Sequence, residues 1–107
     1  MKRPARERPM DADVKAVYDV LELYKAGHSS AAVRSYRQNS ASIRIRIIDP
    51  DFMAFDRVER DDRIWEILRK VPEDVQSQIT MVLLLTPAEA KTSFANMDFD
   101  HPIPSRL

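Results

Sequence analysis

The residues best suited to chemistry are arginines set on two short, strand-like stretches. Arg34, Arg37, Arg44 and Arg46 fall there, with Tyr36 among them and no carboxylate on either stretch. Arginines on one side of paired strands would meet phosphates, and a tyrosine between them could stack on a base. Arg60 and Arg63 follow on a helix-like stretch and extend the same candidate nucleic-acid surface. Two considerations oppose it. No G-x-x-G loop is present to clamp a nucleic-acid backbone, and Glu59, Asp61, Asp62 and Glu66 surround the helical arginines.

Other chemistries are poorly supplied. There is no cysteine, which removes disulfides, thiol catalysis and thiolate-bound metal. The two histidines, His28 and His101, lie in a connector and near the C-terminus without ligand spacing, so no metal site and no cofactor are expected. Asp98, Asp100 and His101 could hold a cation only adventitiously. Asp61 and Asp62 are adjacent, and adjacent helical side chains point about 100° apart, so they suit a solvated ion-pair face. No nucleophile stands beside a base and no glycine loop could cradle a phosphate, so no catalytic residue is assigned and the chain is not expected to be an enzyme.

The chain has 107 residues, enough for one domain with one modest core. Its 17 basic and 17 acidic side chains cancel, so only local charge could select a partner. No stretch approaches the roughly 20 apolar residues of a membrane span, and the basic N-terminus has no apolar run behind it, so a cytoplasmic location is expected.

The elements that would carry these residues can be read in order. Residues 1–10, rich in Pro, Arg and Glu, suit a disordered basic arm. Asp11 or Asp13 caps a helix running to about Ala26, with Val14, Val17, Tyr18, Leu21 and Tyr24 on one stripe. Gly27, the only glycine, stands where a helix end often takes positive φ. Ala31–Arg37 and Ser42–Ile48 read as an antiparallel hairpin with a loop of three to five residues. Ile43, Ile45 and Ile47 alternate with Arg44 and Arg46, so one face is buried and the other wet. Placing Val33 and Ser35 inward puts Arg34 and Tyr36 on the outer face, because an unpaired buried arginine is costly.

Asp49-Pro50-Asp51 ends the second strand, and Phe52, Met53 and Phe55 are expected to tuck under the next helix. That helix spans Asp56–Lys70, opens with Asp56 and Glu59 in capping-box spacing, and carries Val58, Ile64, Trp65, Leu68 and Val71 as its core stripe. Pro72 stops it, and a short helix over Glu73–Gln78 leads to the apolar strand Ile79–Leu85. The crossover makes this strand parallel to Ser42–Ile48. Its unbroken apolar run fits a strand covered on both faces, in tension with an open outer face. Thr86-Pro87-Ala88-Glu89 begins a further short helix, expected over Pro87–Ser93, and residues 94–107 read as a tail. The domain is thus 11–93, α+β, ordered α-β-β-α-α-β-α around a three-stranded mixed sheet.

This order resembles the BolA family, whose fold is a class II KH-like arrangement. Ser35-Tyr36-Arg37-Gln38-Asn39 is similar to the family's S-Y-R-H-N. Phe52–Arg60 with Arg63-Ile64-Trp65 is similar to its F-x-G…R-H-R-x-(V/I)-Y segment, and Met81–Thr86 to its A-L-x-H-T stretch. The likeness covers about Val14 to Ala90. It implies a non-enzymatic regulatory or adaptor protein linked to transcription regulation and stress response. Such a protein would bind nucleic acid or a protein partner through the basic sheet face and the helical pair; separately, the apolar last strand, the open sheet and the Phe- and Met-bearing tail invite a partner or a second copy, a homodimer. The alternative it implies is partnership with a monothiol glutaredoxin in iron–sulfur trafficking. The family's histidines, however, fall at Asp61 and Leu84 here and its loop glycine at Ala54, and neither Asp61 nor Leu84 is a soft ligand.

Overall fold

The computed structural model describes residues 11–102; the expected arm at 1–10 and the last five residues lie outside it. Asp11 opens the first helix, α1 (Ala12–Ala26), by accepting a hydrogen bond from the Val14 amide at 2.9 Å. The apolar stripe then buries Val14, Val17, Leu21 and Tyr24, with Tyr18 left half-buried. The helix does not end in a left-handed turn: Gly27 has φ −95° and its amide donates to Tyr24 O at 3.1 Å. The chain leaves through a tight right-handed turn that needs no glycine.

Strands β1 (Ala32–Asn39) and β2 (Ser42–Ile48) form the antiparallel hairpin. Its loop is only Ser40 and Ala41, shorter than expected, and the Asn39 side chain accepts from the Ala41 amide at 2.9 Å. β3 (Ile79–Leu85) runs parallel to β2, giving a mixed sheet in the order β1-β2-β3. The register slips where Ile43 faces Ile79 but Arg44 faces Met81, so Thr80 bulges. Beyond it, Val82 and Leu84 share the inner face with Ile45 and Ile47, while Met81, Leu83 and Leu85 share the outer face with Arg44 and Arg46.

The inner face is covered by α1 and by α2 (Arg57–Leu68). Asp56 and Glu59 form the expected reciprocal cap at the start of α2. Its buried line is Arg60, Ile64 and Leu68; Val58, expected in the core stripe, is 69% exposed. Val58 sits six residues before Ile64, about 120° round the helix from it. Of the residues expected beneath α2, Phe52 is buried within a 3-10 turn (Pro50–Ala54), Phe55 is half-buried and Met53 is exposed. The short α3 (Glu73–Gln76) buries Val75 and leads into β3. Ile43, Ile45, Ile47, Ile64, Leu68, Val17 and Leu21 are all fully buried in one cluster.

The outer face is not open. A second capping box, Thr86 with Glu89, starts α4 (Pro87–Ala90), and residues expected as a tail form α5 (Phe94–Asp100), capped by Ser93. α5 lies across the sheet and buries Phe99 completely. On β3 the outer face is covered only in part: Leu85 is 2% exposed, while Met81 and Leu83 are half-buried. No helix among the described residues is long and apolar enough to cross a membrane.

Candidate functional site: the covered arginine face and the open strand edge

Strand alternation brings Arg34, Tyr36, Arg44 and Arg46 together as expected, and α5 meets them with carboxylates. Arg44 Nη1 donates to Asp98 Oδ2 at 3.0 Å, while Arg46 and Arg34 both donate to Asp100 Oδ1, at 2.7 and 3.1 Å. Arg46 also donates to Asn96 Oδ1 at 2.9 Å, and the Tyr36 hydroxyl to Phe99 O at 2.7 Å. The Phe99 ring lies under the Arg46 guanidinium, 4.6 Å from its centroid, and meets Tyr36 edge-on at 4.8 Å. Cation–π contact and ring packing thus seat the helix, and charge-assisted bonds fix it. The face that could have met phosphates is occupied by the chain itself.

The other three expected site residues are elsewhere. Arg37 points to the opposite side of β1 and ties it to the start of α1: Nε donates to Asp11 Oδ2 at 2.6 Å and Nη2 to Gln78 at 2.9 Å. That bond and the Val14 amide hold the Asp11 carboxyl below its usual range. Arg63 is exposed and lies over the Phe55 ring, 3.9 Å from its centroid.

Arg60 is 5% exposed and ties four segments together. Its Nε donates to Phe52 O and Phe55 O, each at 3.1 Å, and Nη1 to Leu84 O at 3.2 Å. Nη1 and Nη2 grip Glu89 at 2.7 and 3.3 Å. The same carboxylate accepts from the Thr86 amide at 2.8 Å and so starts α4. The Arg60 bond first, then the Thr86 amide, hold the Glu89 carboxyl down at about 2, against an ordinary 4.5. A depressed folded-state pKa stabilises the fold fully above pH 4.5 and progressively less as pH falls toward 2. Acid titration of wild type and Glu89→Gln, followed by circular dichroism, should therefore show a pH-dependent loss in that window that is smaller in the variant.

Among the described residues, β3 has an unpaired outer edge beside the first turns of α2. A cleft of about 340 Å³ opens there, lined by Arg57, Val58, Asp61, Val82, Leu83 and Leu84 with the Arg60 stem. Val58, Val82, Leu83 and Leu84 supply its apolar lining, beside one exposed cation and one exposed carboxylate, Arg57 and Asp61. Periodicity could not find it, because Val58 read as core and β3 read as covered. Asp62 is exposed on α2, and His101 is exposed at the end of α5. His28, placed in a connector by the sequence, is half-buried and stacks on Tyr24 with ring centroids 4.1 Å apart. No family model, curated protein or solved structure matches the chain.

Proposed function

We propose that this chain is a non-enzymatic, BolA-like adaptor that takes an extended protein segment as an added strand on β3, with a side chain in the cleft beside Val58. The element order and the mixed sheet agree with the fold that the resemblance implies. One observation carries the reading: the open edge of β3 and an apolar cleft lie side by side. Main-chain hydrogen bonds along an edge supply affinity, and a neighbouring pocket supplies selectivity. Nucleic acid is the less favoured ligand, because the arginines of the sheet face already hold Asp98 and Asp100. Regulation through a protein partner fits the family likeness. Exchange of an iron–sulfur cluster with a monothiol glutaredoxin is not part of the proposal, since Asp61 and Leu84 offer no soft ligand pair.

A display selection of random peptides on the full chain, with Val58→Glu as the counter-target, tests this. Selected peptides should shift the amide resonances of Met81–Leu85 and bind Val58→Glu at least about tenfold more weakly, a charge in the apolar cleft being unfavourable. Peptides that bind both proteins alike, or tight oligonucleotide binding by the intact chain with no peptide binding, would sink it.

A further inference from the structure

The end of β2 brings together three side chains that sequence spacing does not connect. His28 Nδ1 lies 2.8 Å from Asp51 Oδ2 and 3.5 Å from Asp49 Oδ2, and one ligand atom from each residue falls within 4.8 Å of the others. Asp49 is completely buried, and its only ion-pair partner among the described residues is His28. Its carboxylate has hydrogen bonds and a histidine for neighbours, with no arginine or lysine in ion-pair reach among the described residues, so a cation would find its negative charge uncompensated. Arg63 is engaged with the Phe55 ring.

The arrangement is held in advance. Tyr24 OH donates to Asp49 Oδ2 at 2.6 Å, and the Asp51 amide donates to Asp49 Oδ1 at 2.9 Å, which fixes both carboxylate oxygens. The imidazole lies flat on the Tyr24 ring, 6° from parallel. Only Asp51, 61% exposed at its side chain, is free to swing. A hydroxyl bonded to a carboxylate and a ring stacked on an imidazole are the kind of outer support that orients metal ligands.

We propose that His28, Asp49 and Asp51 form a binding site for a divalent cation of the zinc type. One imidazole nitrogen and two carboxylate oxygens are a borderline donor set suited to zinc, cobalt or nickel. Bonds of about 2.0–2.1 Å at tetrahedral angles separate ligand atoms by roughly 3.3 Å, a spacing that the two measured separations bracket. The ion replaces the His28–Asp51 hydrogen bond: the Nδ1 proton that this bond requires is released to solvent, and the neutral imidazole, protonated on Nε2, gives its Nδ1 lone pair. The remaining position stays open on the exposed side, where His28 and Asp51 meet solvent.

Chelator-treated full-length chain should be titrated with Zn²⁺ by calorimetry and with Co²⁺ by absorption. One equivalent should bind saturably, and the ¹⁵N resonance of His28 Nδ1 should move. His28→Ala and Asp51→Asn, both at partly exposed positions, should each lower affinity at least about tenfold with unchanged circular dichroism. His101→Ala should bind as wild type. Failure to saturate at one equivalent, unchanged binding by His28→Ala, or loss in His101→Ala would overturn the site and leave only adventitious binding near the C-terminus.

Discussion

Replacing Arg60 by methionine should cost the domain about 3–5 kcal/mol, because the change removes one partner from a largely buried network. Methionine keeps most of the aliphatic stem, so packing loss is small and the effect reports the polar contacts. Three main-chain oxygens, of Phe52, Phe55 and Leu84, lose a donor together, and of these Phe52 O keeps the Phe55 amide. Each buried acceptor left unpaired costs about 1–3 kcal/mol. Glu89 loses the guanidinium and retains only its place in the cap of α4. For a domain of this size, a loss of that order lowers the melting temperature by roughly 4–8 °C per kcal/mol. Urea unfolding of wild type, Arg60→Met and Arg60→Lys measures it. Lysine carries the charge but not the planar fork and should recover only a minor part. A loss below about 1 kcal/mol in Arg60→Met would show that the network adds little to stability.

Changing Phe99 to alanine should cost about 3–5 kcal/mol and uncover the arginine face. Phe99 is the only fully buried side chain of α5. Without its ring, the helix is left with ion pairs to partly exposed carboxylates, which contribute little on their own. Seven residues are too few to remain helical without packing. The released sheet would present Arg34, Tyr36, Arg44 and Arg46 together. Fluorescence anisotropy with single-stranded oligonucleotides should find weak, salt-dependent binding in Phe99→Ala that wild type lacks, and the further change of Arg44 and Arg46 to alanine should abolish it. Wild-type stability in Phe99→Ala, or equal oligonucleotide binding by both proteins, would show that α5 does not cover the face in solution.

Much of this architecture was legible because local rules and tertiary packing agree. The spacing of Val14, Val17, Leu21 and Tyr24 marked α1, and the alternation of Ile43, Ile45 and Ile47 marked the inner face of β2. Both capping boxes lie where Asp56/Glu59 and Thr86/Glu89 spacing put them. What escaped depends on contacts between distant residues. Phe94–Asp100 has one buried side chain, too little for a periodicity, and its helix is specified by the arginines and tyrosine it meets. Arg60 reads as one charge among many on α2 until Glu89 and three carbonyls converge on it. Val58 was assigned to the core by residue type, although its angle on the helix places it outside. His28 and Asp49 meet only because the end of α1 and the end of β2 share a corner.

The parallel pairing of β2 with β3 also governs the order in which the chain can assemble. The β1–β2 hairpin closes through two residues, so it can form on a microsecond scale. β3 arrives only after α2 and α3 have been traversed, and such non-local closure is slow. Until it does, the row of isoleucines on β2 has one unprotected flank, and α5, whose partners are on β1 and β2, comes after β3 in the chain. The helix that neutralises the arginines is therefore a late arrival, and a nascent chain passes through a stage in which its most cationic surface is bare.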